Sequence, residues 1–155
     1  MTLRPRLTDR LTGSSTVPSL LVVSDSHVGA TLAADLDVAA VTVVTDRDAV
    51  AAVAPDGVRT VVGDVTTLKT FAAADADEAT VAVLALDHDR RTLLVRQLLR
   101  TRFDVEDVVV VLNDPERRVA LTDASTSIVC GPTCLAAALG DAVERTLPEP
   151  TESHS

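Results

Sequence analysis

Residues 20–29, LLVVSDSHVG, decide the reading of this chain, together with residues 41–46, VTVVTD. The first stretch is an apolar run of strand length, then a polar turn, then the start of a helical pattern. Val28, Leu32 and Leu36 recur at i, i+4 and i+8, one face of a helix. The second run closes on an acidic residue, Asp46. Strand, turn, helix and acid-ended strand form the layout of a first βαβ unit that binds a dinucleotide. There the turn meets a pyrophosphate and the acid after the second strand meets a ribose.

The turn departs from the usual glycine pattern. G-x-G-x-x-G would fall on Ser24, Asp25, Ser26, His27, Val28 and Gly29, and only the third glycine is present. Ser24 and Ser26 take the first two glycine places. Asp46 follows Ser26 by twenty positions (46 − 26), close to the spacing expected of a ribose ligand.

Further along, apolar runs alternate with helical patterns. Strands are expected over 20–23, 41–45, 60–62, 80–86, 108–112 and 127–130. Helices are expected over 28–36, 49–53, 67–74 and 89–102, then from Asn113-Asp114-Pro115 and again after Pro132. Asn113 or Asp114 would cap the fifth helix, with Pro115 in its first turn. In the fourth helix Leu94 and Leu98 are expected inward, with Arg91, Arg96 and Arg100 outward. Leu135, Leu139 and Val143 mark one face of the last. Six strands alternating with helices predict an α/β fold: a Rossmann-like, doubly wound, parallel six-stranded sheet in three layers. Ligands of such sheets bind at the carboxyl ends of the strands. Those ends here carry Ser24, Asp46, Asp64, Asp87 and Asn113. Residues 1–19, with Arg4, Arg6 and Arg10, read as a flexible arm, 20–147 as the domain and 148–155 as a flexible tail.

Composition narrows the class. The chain has 155 residues, 46% of them hydrophobic, enough for one domain with a real core. No apolar run is long enough to span a membrane, and residues 1–19 lack the apolar segment of a secretory signal. A cytoplasmic location is expected. Net charge is −9, from 23 acidic and 14 basic residues, and Lys69 is the single lysine. This balance resembles that of proteins from cells that hold molar salt, where charges are screened within about 3 Å. It argues against nucleic acid as a partner. Cys130 and Cys134 are read as small buried residues, with a redox pair as the alternative. Two thiols without a nearby histidine do not make a zinc site.

Several segments together resemble one family, the TrkA-N or RCK nucleotide-binding domain of potassium-uptake and channel regulators. VVTDRD (43–48) is similar to its second-strand signature. VVGDVTT (61–67) is similar to its Gly-Asp-Ala-Thr turn beside the adenine. AADADEATVAVLALDHD (73–89) resembles its Ala-Asp, strand, Asp-Asp segment, and LNDPE (112–116) its cap on the fifth helix. The resemblance spans about residues 20–147. It implies a non-enzymatic regulatory subunit that binds NAD(H) or an adenine nucleotide (ATP, ADP or AMP). Such a subunit gates a potassium channel or transporter by conformational change. It implies a phosphate turn of Ser24, Asp25, Ser26, His27, Val28 and Gly29. Asp46 would hold the ribose, with Arg47 nearby. Asp64, Val65 and Thr66 would flank the adenine, and Leu86 and Asp87 would lie under the nucleotide. The last helix would form a homodimer.

The chain also departs from the family. Ser26 puts a Cβ where backbone meets pyrophosphate, Asp25 adds negative charge there, Val111 stands where a basic residue is frequent, and Thr92 replaces a frequent Asn. No RCK-C domain follows within residues 148–155. A second reading is therefore a degenerate docking or dimerisation module without a ligand. A third is a metal-dependent phosphoesterase. Asp25, His27, Asp64 and Asp87-His88 imitate the calcineurin-like metal series, but the further histidines are missing except His154. A receiver domain would need a lysine after the fifth strand, and a dehydrogenase a substrate domain and an acid–base pair.

Overall fold

The computed structural model describes residues 17–36 and 40–150. Expectations for the N-terminal arm fall mostly outside them, as do those for the end of the tail. Six strands form one parallel sheet in the order β3-β2-β1-β4-β5-β6. They are β1 (Ser19–Ser24), β2 (Ala40–Thr45), β3 (Arg59–Val62), β4 (Val81–Ala85), β5 (Val108–Leu112) and β6 (Thr126–Cys130). Val22 of β1 stands beside Val43 of β2 and Val83 of β4, so the centre of the sheet is a row of valines. The winding reverses between β1 and β4, which opens a crevice at their carboxyl ends.

Among the described residues five α-helices join the strands, α1 (His27–Asp35), α2 (Asp48–Ala52), α3 (Leu68–Ala73), α4 (Asp89–Arg102) and α5 (Arg118–Leu121), and a sixth, α6 (Gly131–Thr146), follows β6. Right-handed crossovers place α1 and α2 on one face and α3, α4 and α5 on the other. The larger core lies under the second group. There Leu21, Val23, Leu84, Val110 and Leu112 meet Phe71, Val95, Leu99 and Leu121. Phe71 and Phe103 pack edge to face with centroids 6.1 Å apart. The smaller core, with Leu20, Val22, Ala33 and Val43, lies under α1. No helix among the described residues is long and apolar enough to cross a membrane.

Four expectations need correction. In α4 the buried stripe is Asp89, Thr92, Val95 and Leu99, while Leu94 is 49% exposed. Arg91, Arg96 and Arg100 lie inward, because acidic and hydroxyl groups at the strand ends and before β6 draw their guanidinium groups in. In α1 the buried residues are Gly29, Ala30 and Ala33. Val28 and Leu32 instead line an open apolar groove of about 620 Å³, with Val83, Val109, Val111 and Val129 of the sheet. Pro115 begins a short 3-10 turn rather than an α-helix; Asp114 caps it by accepting from the N–H of Glu116 at 3.0 Å. Cys134 is exposed and Cys130 half-buried, and neither is in a disulfide. They sit at the root of α6, which buries none of its residues.

Candidate functional site

The site grows from the turn between β1 and α1. Ser24 is fully buried, and its hydroxyl ties the turn to itself. It donates to the Ser26 carbonyl at 3.0 Å and accepts from the N–H groups of Ser26 and Gly29, each at 3.2 Å. Ser26 caps α1, its hydroxyl accepting from the Val28 N–H at 3.3 Å. Gly29 keeps the role of the third glycine, close contact between helix and strand: a Cβ there would stand 2.4 Å from Ser24 Cβ. Three N–H groups that could face a phosphate are thus already bonded to serine oxygens.

Asp25 lies beneath the turn and is 4% exposed. Its Oδ2 accepts from the Asp87 N–H at 3.2 Å and from Arg91 at 3.1 Å, while its buried Oδ1 has no partner. Arg91 comes from the first turn of α4. One of its terminal nitrogens bonds Asp25, and the other bonds Asp46 at the end of β2 at 2.7 Å. A third carboxylate, Asp87, lies 3.9 Å away. One guanidinium therefore spans the crevice where the winding reverses, joining the ends of β1, β2 and β4.

The carboxyls titrate apart. Burial pushes Asp25 above its usual value and the neighbouring Asp87 carboxyl pushes it further, against the lowering effect of the Asp87 N–H bond and of Arg91. The Asp25 carboxyl in turn pulls Asp87 down to about 2, helped by His88, whose Nδ1 is 2.7 Å away. Asp64 is fully exposed, and its Oδ1 accepts from the N–H and hydroxyl of Thr66 at 2.9 and 2.6 Å, which lowers its pKa.

A clamp supports the crevice from the side. Asp89, the first residue of α4, is 7% exposed. Its oxygens accept from the N–H of Asn113 at 2.9 Å, the Asn113 amide at 3.1 Å and the N–H of Asp114 at 2.8 Å. The Asn113 amide also donates to the Leu86 carbonyl at 2.8 Å. The LNDPE segment thus locks the end of β5 to the end of β4.

Ser24, Asp25, Ser26, Asp46 and Asp87 converge at the crevice. His27, Arg47 and His88 are exposed on its rim. Val65 and Leu86 are core side chains, so only their backbone can face a ligand. The sequence reading missed Arg91 and Asp89. The available signal was the crowding of carboxylates at the strand ends, which demands a cation among them. Among the described residues, no group of three or more His, Cys, Asp and Glu could hold a metal ion.

Strand order, reversal point, helix-packing glycine and acid-ended second strand define a Rossmann domain of the dinucleotide-binding type. Residues 20–132 match the TrkA-N domain, well over half of the chain, and the chain belongs to that family. No curated protein matches it. Among solved structures it is similar to the TrkA-N domain of the inner membrane protein ybaL from Escherichia coli. That likeness has 17% identity and a TM-score of 0.67, over 84% of this chain and 99% of the other. The NAD(P)-binding domain of an exopolyphosphatase-related protein from Archaeoglobus fulgidus is similar at 17% identity and TM-score 0.66, over 83% and 99%. The GsuK channel, solved bound to NAD, is similar at 20% identity and TM-score 0.65. It matches over 89% of this chain and 27% of the channel chain. At these identities the likeness is one of fold.

Proposed function

We propose that this chain is a nucleotide-responsive regulatory subunit of a potassium-transport system, binding NAD(H) or an adenine nucleotide at the carboxyl ends of its strands. The observation that carries this reading is the meeting of Asp46, the β1 turn and Arg91 at the reversal point. Membership of the TrkA-N family and a fold shared with an NAD-bound channel support it. Bound there, the nucleotide would supply a ribose for Asp46 and an anionic phosphate arm. Asp46 accepts from the ribose hydroxyls, and the turn backbone beside Asp64 and Thr66 borders the adenine. The phosphate end fits less closely, because the turn's N–H groups are bonded to Ser24 and Ser26. Positive charge there comes from Arg91 and from the N-terminus of α4, which has no side-chain cap.

Gating requires that the ligand favour one of two geometries, by no more than its difference in affinity for them. The element suited to carry that geometry is α6. Leu135, Leu139 and Val143 are all more than half exposed along one face. The groove beside α1 is an apolar surface that no described residue covers. A second copy of the chain, each α6 lying in the other's groove, buries both, and a cytoplasmic face of the membrane partner reads the dimer.

The test is a melting-temperature titration of NADH, NAD, ATP, ADP and AMP into the protein in molar KCl. A ligand at one hundred times its Kd adds about 2.7 kcal/mol of stability. The expected shift disappears in Asp46→Ala. The bonded turn also favours a second reading, a docking module that has lost its ligand. Stability unmoved by every nucleotide establishes that one instead.

A further inference from the structure

We infer that Arg91 is a handover residue. It closes the crevice by holding Asp46 when no ligand is present, and passes to the ligand's phosphate when one binds, releasing Asp46 to the ribose. This rests on the nucleotide reading above and adds what decides which ligands the crevice takes.

The geometry sets two uses of Asp46 against each other. Arg91 holds its Oδ2 at 2.7 Å, so a ribose hydroxyl that takes that atom competes with a charge-assisted bond. A phosphate cannot use the N–H groups of Ser26, Val28 and Gly29 while serine oxygens hold them. Arg91 is the charged donor that touches both the turn and the ribose-side carboxylate. Its two terminal nitrogens serve different partners, so one can stay on Asp25 while the other leaves Asp46. Asp25 is held in place from below by the Asp87 N–H and keeps the guanidinium at the turn.

Electrostatics sets the direction of the exchange. A cation in the first turn of α4 opposes the helix dipole, and the three carboxylates around Arg91 offset that cost. A phosphate placed there satisfies the helix end and the guanidinium together. A bare nucleoside has no phosphate to offer Arg91 and competes with it for Asp46 Oδ2. The crevice therefore prefers ligands that bring both a ribose and a phosphate.

The experiment compares adenosine with ADP by calorimetric titration of the wild-type chain, Arg91→Gln and Arg91→Lys, each checked for folding by circular dichroism. Wild type binds ADP more tightly than adenosine. In Arg91→Gln the two ligands move in opposite directions. Adenosine binds more tightly because Asp46 is free, and ADP binds about ten-fold more weakly because a charge-assisted contact is gone. Arg91→Lys, a point charge that cannot bridge two carboxylates, tightens adenosine and leaves ADP near the wild-type value; it carries the test alone if Arg91→Gln does not fold. Binding of both ligands that shifts in the same direction, or not at all, in the variants overturns the handover and leaves the nucleotide reading standing. Failure of both ligands to bind wild type overturns both.

Discussion

At Gly29 there is no room for a methyl group, since an added Cβ would stand 2.4 Å from Ser24 Cβ and 2.8 Å from its Oγ. Gly29→Ala must part α1 from β1 or break the hydroxyl's bonds. It is expected to cost about 1–3 kcal/mol, seen as a lower urea midpoint. Two carboxyls should respond to pH with opposite sign. Asp123 accepts from Arg96 at 3.1 Å and from Arg100 at 2.9 and 3.2 Å, and Arg100 holds it far below its usual 3.8. Its contribution is present above that usual value and is lost as acid carries the pH down towards the folded value. Asp123→Asn should therefore destabilise at pH 7 by about 1.5–3 kcal/mol and by progressively less below pH 4, measured by urea unfolding. Asp25 behaves the other way. Its folded value is raised, so wild type loses stability as pH rises from 3.8 through that value. Asp25→Asn keeps an acceptor for the Asp87 N–H without the buried charge. Its urea midpoint should exceed that of wild type at neutral pH, and the gap should close on acidification.

At the scale of elements, α4 organises the site from both ends. Asp89 ties its start to the β5 end, and Arg96 and Arg100 tie its later turns to Asp123, Ser125 and Thr126 before and within β6. Asp89→Ala leaves three donors without their acceptor and should cost about 3 kcal/mol in thermal or urea unfolding. The strands were legible because a strand buried on both faces is a continuous apolar run, and β5, VVVVL, is the plainest case. The place of Asp46 at the crevice, after the second strand, was legible from its spacing. The inward face of α4 was not, because arginines read as solvent-facing and their hydrogen-bond partners lie 23 to 66 residues away in sequence. The Val28, Leu32, Leu36 stripe was a true periodicity with the wrong destination. It faces a groove that the described residues leave open.

At the scale of the whole molecule, two apolar surfaces stand open among the described residues: the α6 face and the groove over β4, β5 and β6. Leu139→Glu puts a charge in the middle of the first. Because α6 buries nothing in its own chain, this change should leave the fold of one subunit intact. Light scattering in molar KCl should show wild type as a dimer and Leu139→Glu as a monomer. A wild-type monomer at micromolar concentration would exclude pairing through α6. Gly140 of this helix has nothing among the described residues within 4 Å of where a Cβ would be.

The root of α6 has a mechanical meaning. The helix leaves β6 with no intervening residue, and Gly131 lies against the end of β5: a Cβ there would be 3.2 Å from Val111 Cγ1 and 3.9 Å from Asn113 Oδ1. Asn113 is bonded to Asp89, two residues before Arg91 on the same helix turn. Sixteen residues of helix make an arm of about 24 Å. Pivoted at that root, a tilt of about 10° swings the far end by about 4 Å. A rotation too small to notice at the root would thus be a displacement of several ångströms at the far end of the helix.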